Sequence, residues 1–126
     1  MRRCWPTVGD LSEHFNRSEF KCRHCGRVVV DPHLVRHLEA LRALVRRPLR
    51  IVSGYRCSAY NAQVGGAPGS LHVQGMAADI ERGYATADQA LAAGFNGIGR
   101  TTRHDGQSWA VHVDVRTKRA TWTYGA

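Results

Sequence analysis

The sequence predicts an α+β domain in which a small antiparallel sheet carries helices on one face and a cleft on the other. Asp31 and Pro32 start the clearest helix, because a capping aspartate and a first-turn proline precede leucines and a valine at helical spacing. The apolar run Ala77–Glu81 is typical of a short strand. Strict alternation over residues 109–115 predicts another strand, with three valines on one face and polar side chains on the other.

The remaining elements are short, and turn or capping signals give their boundaries. In chain order they are a loop with one helical turn at residues 11–20, a strand at 49–53, a glycine-rich loop at 61–71, a small helix capped by Thr86 and Gln89 and ending at Gly94, and a strand that begins at 97–99. Residues 120–124 are predicted to pair with the strand at 109–115 as a hairpin, across a turn at 116–119.

Length and composition indicate one domain over residues 1–126, with an irregular segment at residues 1–10. The formal charge of +8 predicts attraction to a polyanion. The basic residues are scattered and no nucleic-acid-binding motif accompanies them, so we expect no nucleic-acid partner. Anionic polymers of a bacterial cell wall are the alternative polyanion, and we expect the chain to be a monomer.

A histidine and an aspartate are the first candidate metal ligands. His72 and Asp79 are separated by small and apolar residues, and an aspartate within an apolar strand loses solvation that a cation can replace. Both are standard zinc ligands, and a catalytic zinc needs three protein ligands with one open position. His112 is the best third candidate, although His112 and Asp114 could instead form the solvated face of an edge strand.

The motif Ser70-x-His72-x-x-Gly75-x-Ala77-x-Asp79, followed by a strand with His112, resembles the zinc D-Ala-D-Ala carboxypeptidases and related murein peptidases. This group also holds lysostaphin-type enzymes and the hedgehog signalling domain, and segments 53–56 and 11–20 agree with it. The resemblance implies a hedgehog/DD-peptidase-like fold with Zn²⁺ bound by His72, Asp79 and His112. It implies a peptidase acting at D-amino acids in peptidoglycan peptides, and the alternative is a non-catalytic zinc-binding module that recognises the cell wall.

The resemblance also implies roles for polar side chains beside the metal. Arg56 would bind the terminal carboxylate of the substrate or polarise the scissile carbonyl, which suits a planar fork of donors. Ser70 would contact substrate, and its simpler role is a turn hydroxyl bonded to nearby backbone. Many relatives place a catalytic acid where this chain has Trp109. We therefore predict Asp114 as the catalytic base, with Asp105 as its alternative and orientation of a ligand histidine as the competing role of Asp114.

Four cysteines leave three interpretations open. Cys22 and Cys25 form a CxxC pair, and Cys4 and Cys57 complete the set. A structural zinc could use the pair with Cys57 and with Cys4 or His24, a disulfide could join the pair to Cys57, or all thiols could be free. Cysteines near both places in similar proteins favour proximity of Cys25 and Cys57.

The sequence does not indicate how the protein would reach a cell wall. No stretch has the roughly 20 apolar residues that a membrane-spanning helix needs, so we expect no membrane partner. Arg2 and Arg3 are not followed by an apolar segment, so the N-terminus is not a recognisable signal peptide. Action on the cell wall would then require another exit, such as cell lysis or a phage holin.

Overall fold

The computed structural model describes residues 9–102 and 108–124. Within them, the chain forms three α-helices, five β-strands and two short 3₁₀ helices. In chain order these are the first 3₁₀ helix (Arg17–Phe20), α1 (Pro32–Val45), β1 (Ile51–Ser53), α2 (Ser58–Gln63), the second 3₁₀ helix (Leu71–Gln74), β2 (Ala77–Glu81), α3 (Ala87–Ala92), β3 (Gly97–Thr102), β4 (Ser108–Asp114) and β5 (Ala120–Tyr124). The α+β class is therefore confirmed.

The five strands form one mixed sheet in the order β1-β2-β4-β3-β5. The first four strands pair antiparallel, but β5 pairs parallel with β3, so the prediction of a purely antiparallel sheet is only partly right. The predicted hairpin between β4 and β5 is wrong, because β2 and β3 occupy both edges of β4. The Asn96 side chain holds the connection by donating to the carbonyl oxygens of Arg116 and Thr117, at 3.0 and 3.2 Å, and β5 then starts beside the start of β3.

The predicted caps of α1 and α3 are both present. Asp31 accepts a hydrogen bond from the backbone N–H of His33 at 2.7 Å, and Pro32 occupies the first turn of α1. Thr86 and Gln89 form a reciprocal capping box at the start of α3. None of the helices in the described part of the chain has the length and apolar character that crossing a membrane requires.

Helix α2 lies where part of the predicted glycine-rich loop at 61–71 was expected. The N-cap residue of α2 is Cys57, whose sulfur accepts from the backbone N–H of Tyr60 at 3.5 Å. Cysteine is not among the usual capping residues, so no start signal for this helix is recognisable in the sequence. The second 3₁₀ helix also begins inside the predicted loop, at Leu71.

The sheet has one apolar and one polar face. The apolar face packs in the core with side chains from α1, α3 and the N-terminal segment; the buried core residues are Phe15, Phe20, Leu34, Leu38, Leu41, Leu49, Ala78, Ile80, Ala85, Ala90, Phe95, Ile98, Val111 and Val113. Because side chains alternate along a strand, Asp79 on β2 and His112 on β4 point to the opposite face. These two residues are directly paired in the sheet register.

Candidate metal centre

His72 is held in the orientation and tautomer of a metal ligand. It lies in the second 3₁₀ helix, where the Ser70 hydroxyl accepts from the His72 backbone N–H at 3.2 Å and Gly75 ends the helix in a left-handed conformation. The ring Nδ1 lies 2.7 Å from the carbonyl oxygen of Gly54. A carbonyl oxygen can only accept, so Nδ1 carries the proton and Nε2 has a free lone pair.

Three donor atoms converge beyond that nitrogen. His72 Nε2 lies 3.3 Å from Asp79 Oδ1 and 3.3 Å from His112 Nδ1, and His112 Nδ1 lies 3.1 Å from Asp79 Oδ1. All three residues are at least 94% buried, with exposed fractions of 1%, 6% and 5%. The structure therefore brings together the three residues that the sequence predicted as ligands, which are one of two candidate metal-binding groups among the described residues.

The separations fit a tetrahedral metal site. Metal–nitrogen and metal–oxygen distances near 2.0–2.1 Å put adjacent donors of a tetrahedron roughly 3.3–3.4 Å apart. The donor set of two imidazoles and one carboxylate is also one that zinc accepts in catalytic sites. Lone pairs that converge at this distance repel one another unless a cation lies between them, so the geometry requires a metal ion or a proton.

The electrostatics of the cluster favour a cation. Burial disfavours the charged form of Asp79, but interactions with His112 and His72 outweigh burial and hold the pKa of this carboxyl well below its usual range. Burial likewise disfavours the charged form of His112, but Asp114 and Asp79 outweigh it and raise the pKa of this imidazole. The two carboxylates therefore make the pocket electronegative.

Asp114 contacts the far side of the His112 ring. Its Oδ2 lies 2.8 Å from His112 Nε2, so Nε2 donates to the carboxylate and Nδ1 keeps its lone pair. Arg116 also donates to Asp114 through Nε at 2.8 Å, Nη2 at 2.7 Å and its backbone N–H at 3.1 Å. Gly97 on β3 leaves the required space, since a Cβ there would overlap the carboxylate.

This placement bears on the predicted catalytic base. Asp114 is fully buried, and despite burial the donors from Arg116 and His112 hold the pKa of its carboxyl well below the usual range. A carboxylate with a low pKa and occupied oxygens is a poor proton acceptor. The geometry therefore favours orientation of His112 over the base role, and the base role stays a prediction. The alternative base, Asp105, lies outside the described residues.

Trp122 on β5 packs against the centre and was not singled out in the sequence. Its ring lies 5.2 Å from the His112 ring, and the Arg116 guanidinium lies 4.6 Å from the Trp122 ring centre. Gly99 on β3 permits this close approach, because a Cβ there would overlap the indole. No local signal identifies this contact, since it depends on the unexpected pairing of β5 with β3.

Arg56 lies next to the His72 turn. Its backbone N–H donates to the His72 carbonyl oxygen at 3.1 Å. Its side-chain Nε is buried, and none of the residues that the structure describes accepts a hydrogen bond from it. Asn61 Oδ1 is similarly buried without a donor in the described part of the chain, and both side chains lie against Gly66. One guanidinium nitrogen of Arg56 and one amide oxygen of Asn61 are thus buried without a hydrogen-bond partner among the described residues.

The second candidate metal-binding group consists of cysteines. Cys22, Cys25 and Cys57 have sulfur atoms within 4.8 Å of one another, and no disulfide joins these three cysteines in the described structure. Cys25 and Cys57 are therefore close in space, as predicted. Cys4, the fourth cysteine, lies outside the described residues.

An α+β domain with a buried two-histidine, one-aspartate group on the polar face of its sheet is, by its fold and site, a candidate metal-binding domain. The family model described as Peptidase M15 matches residues 13–114, which include every residue of the centre. The chain belongs to this family of zinc D-Ala-D-Ala peptidase-like metallopeptidases. A search of curated proteins finds no match to the chain.

Proposed function

We propose that this chain is a zinc peptidase that hydrolyses peptide bonds at D-amino acids in bacterial cell-wall peptidoglycan, as a carboxypeptidase or an endopeptidase. The observation that carries the proposal is the convergence of His72 Nε2, Asp79 Oδ1 and His112 Nδ1 at 3.1–3.3 Å in a member of the peptidase M15 family. The net charge of +8 supports a polyanionic surrounding such as the cell wall.

The residues of the centre divide between binding and orientation. A bound zinc supplies a Lewis acid and lowers the pKa of a water molecule. His72, Asp79 and His112 would hold the ion, while the Gly54 carbonyl and the Asp114 carboxylate fix the two imidazole tautomers.

Arg56 is the residue that we assign to the substrate. Its backbone borders the His72 turn, and its guanidinium is a planar fork of donors that suits a carboxylate or a carbonyl oxygen of the substrate. Ser70 already accepts from the His72 backbone, which supports the turn role, and its hydroxyl proton can still be donated to substrate.

The test is hydrolysis of purified peptidoglycan fragments by the full chain after chelation and reloading with zinc, with products read by mass spectrometry. A terminal D-amino acid among the products indicates a carboxypeptidase, and separated cross-linked peptides indicate an endopeptidase. His112→Ala is the matched inactive variant. Cleavage of all-L peptides without cleavage of the wall fragments would contradict the substrate class.

A non-catalytic module that recognises the cell wall is the second candidate. The observation that favours it is that no free carboxylate is available as a catalytic base among the buried, described residues. The two buried carboxylates are Asp79 and Asp114, and both already form hydrogen bonds with His112 or Arg116. Sedimentation with insoluble peptidoglycan separates the two functions. Zinc-dependent co-sedimentation without released products would support the recognition module, whereas released products establish the peptidase.

A further inference from the structure

The cysteine group lies on a turn built to present two sulfur atoms on one side. The backbone N–H of Cys22 donates to the Arg27 carbonyl at 2.9 Å, and the N–H of Gly26 donates back to the Cys22 carbonyl at 2.9 Å. Gly26 has a φ of 78°, a left-handed conformation that glycine adopts without strain. The chain therefore reverses tightly around Cys22 and Cys25.

Backbone donors point at the sulfur atoms. The N–H of Cys57 lies 3.4 Å from Cys22 Sγ, and the N–H of Tyr60 lies 3.5 Å from Cys57 Sγ. Such donors stabilise negative charge on sulfur, and the thiolate is the form of cysteine that binds metals. The first turn of α2 thus contributes both a ligand atom and the donors around it.

His24 borders the cysteine group, but its ring nitrogens do not lie within 4.8 Å of all three sulfur atoms. Its Nδ1 lies 3.5 Å from Cys57 Sγ, and its ring stacks on Tyr60 with an interplanar angle of 5°. In a tetrahedral zinc site with bonds of about 2.3 Å to sulfur and about 2.0 Å to nitrogen, these two atoms would lie roughly 3.5–3.6 Å apart. The observed separation from Cys57 Sγ matches that distance, and the exposed His24 side chain would have to rotate to bring its nitrogen equally close to Cys22 and Cys25.

We propose that Cys22, Cys25 and Cys57 hold a second, structural site for a thiophilic divalent cation, with zinc as the expected ion. His24, whose side chain is exposed, would complete the ligand set after rotation toward the ion. Three thiolates and one imidazole are a standard structural zinc set, and they leave no coordination position open for substrate. The site is distinct from the His72, Asp79 and His112 centre and does not depend on peptidase activity.

A metal ion at the second site would stabilise the backbone segment that supports His72 in the first centre. It joins Cys22 to Cys57, which are 35 positions apart, and the backbone between Gly54 and Cys57 carries the carbonyl that orients His72. The same segment is already tied to the N-terminal region, because Tyr55 N–H donates to the Phe20 carbonyl at 3.0 Å. Loss of this metal should therefore loosen the support of His72 without removing a catalytic ligand.

The test measures metal content and spectra of the full chain rather than activity. Purified wild-type protein should hold two zinc ions per chain, and Cys25→Ser should hold one. Cys25 is exposed, so its replacement should not disturb packing. With cobalt in place of zinc, the wild type and His112→Ala should both show sulfur-to-cobalt charge-transfer bands, and Cys25→Ser should lose them.

Two further variants identify the fourth ligand. His24→Ala should release the second zinc to a chelator at least roughly 10-fold faster than wild type, whereas the exposed control His33→Ala should not. Cys4→Ser should keep two zinc ions, and a drop to one zinc in Cys4→Ser with no change in His24→Ala would overturn the assignment of His24.

Two results would overturn the site as a whole. One is a wild-type protein with one zinc per chain and no cobalt–sulfur bands. The other is a non-reduced, denatured protein in which two of the four thiols cannot be titrated, because a disulfide within this group excludes a three-thiolate site.

Discussion

The two candidate metal centres of this chain differ in ligands, in burial and in the backbone that carries them. The first has nitrogen and oxygen donors, lies almost fully buried on the face of a sheet, and draws two of its ligands from paired positions on neighbouring strands. The second has sulfur donors on a turn and at a helix start, and Cys25 is exposed. Regular structure thus positions the first centre, and loops position the second.

The difference between the two centres indicates that they have different roles. At the first centre, each histidine has a partner that fixes its metal-binding nitrogen, and the three candidate ligands leave a coordination position open, as in catalytic metal sites. At the second, all four ligands would come from the protein, which is typical of a site that stabilises a fold.

Removing a ligand of the first centre should have the largest effect. His112→Ala should lose one zinc per chain and reduce hydrolysis by roughly 1000-fold or more, because the ion supplies several kcal/mol of transition-state stabilisation. Metal analysis and peptide turnover check this outcome. His33→Ala is the exposed control, and equal zinc content in both variants would remove His112 from the ligand set.

Replacing Arg56 should lower turnover and leave both metal ions bound. Arg56→Lys keeps the charge but loses the planar fork, so we expect a loss in kcat/KM of roughly 100-fold, comparable with removal of one transition-state donor. The measurement is steady-state kinetics together with zinc content. Unchanged kinetics in Arg56→Lys and in Arg56→Ala would place this side chain outside the site.

Asp114→Asn separates orientation of a ligand from proton transfer. If Asp114 orients His112, zinc affinity should fall by roughly 10- to 100-fold, as is usual when such a supporting carboxylate is lost. Zinc competition titrations measure this, with the exposed Asp88→Asn as control. Full zinc affinity with a loss of turnover of roughly 100-fold would instead assign Asp114 as the base. Asp105→Asn, measured in parallel, tests the alternative base.

The addition of a single methyl group at Gly66 should have the smallest effect on turnover. Gly66→Ala would place a Cβ against Asn61 Oδ1 and 3.1 Å from Arg56 Nη1, so it should shift both side chains and lower turnover by roughly 10-fold. Gly69→Ala is a matched control in the same loop, because a Cβ there meets nothing within 4 Å. Identical turnover in the two variants would mean that the position of Arg56 does not matter for catalysis.

The candidate ligands of the first centre could be proposed from the sequence because local patterns mark two of them. The period of the strand at 109–115 places His112 on the polar face, and the apolar surroundings of Asp79 require compensation of its charge. The helix α1 followed from its cap and its leucine spacing for the same reason.

The parts that could not be predicted depend on contacts between distant segments. The pairing of β5 with β3 follows from the occupation of both edges of β4, which no local pattern contains. The contact of Trp122 with His112 depends on that packing. Likewise, α2 has a cysteine cap, which propensity rules do not recognise as a helix start.

The most direct test of the central claim is an anomalous difference map at the zinc absorption edge, from crystals of the full chain grown with zinc. We expect a peak bonded to His72 Nε2, Asp79 and His112 Nδ1, with Asp114 still on His112 Nε2 and a fourth position that no protein atom fills. No peak at these residues, or zinc bound through His112 Nε2 or Asp114, would contradict it.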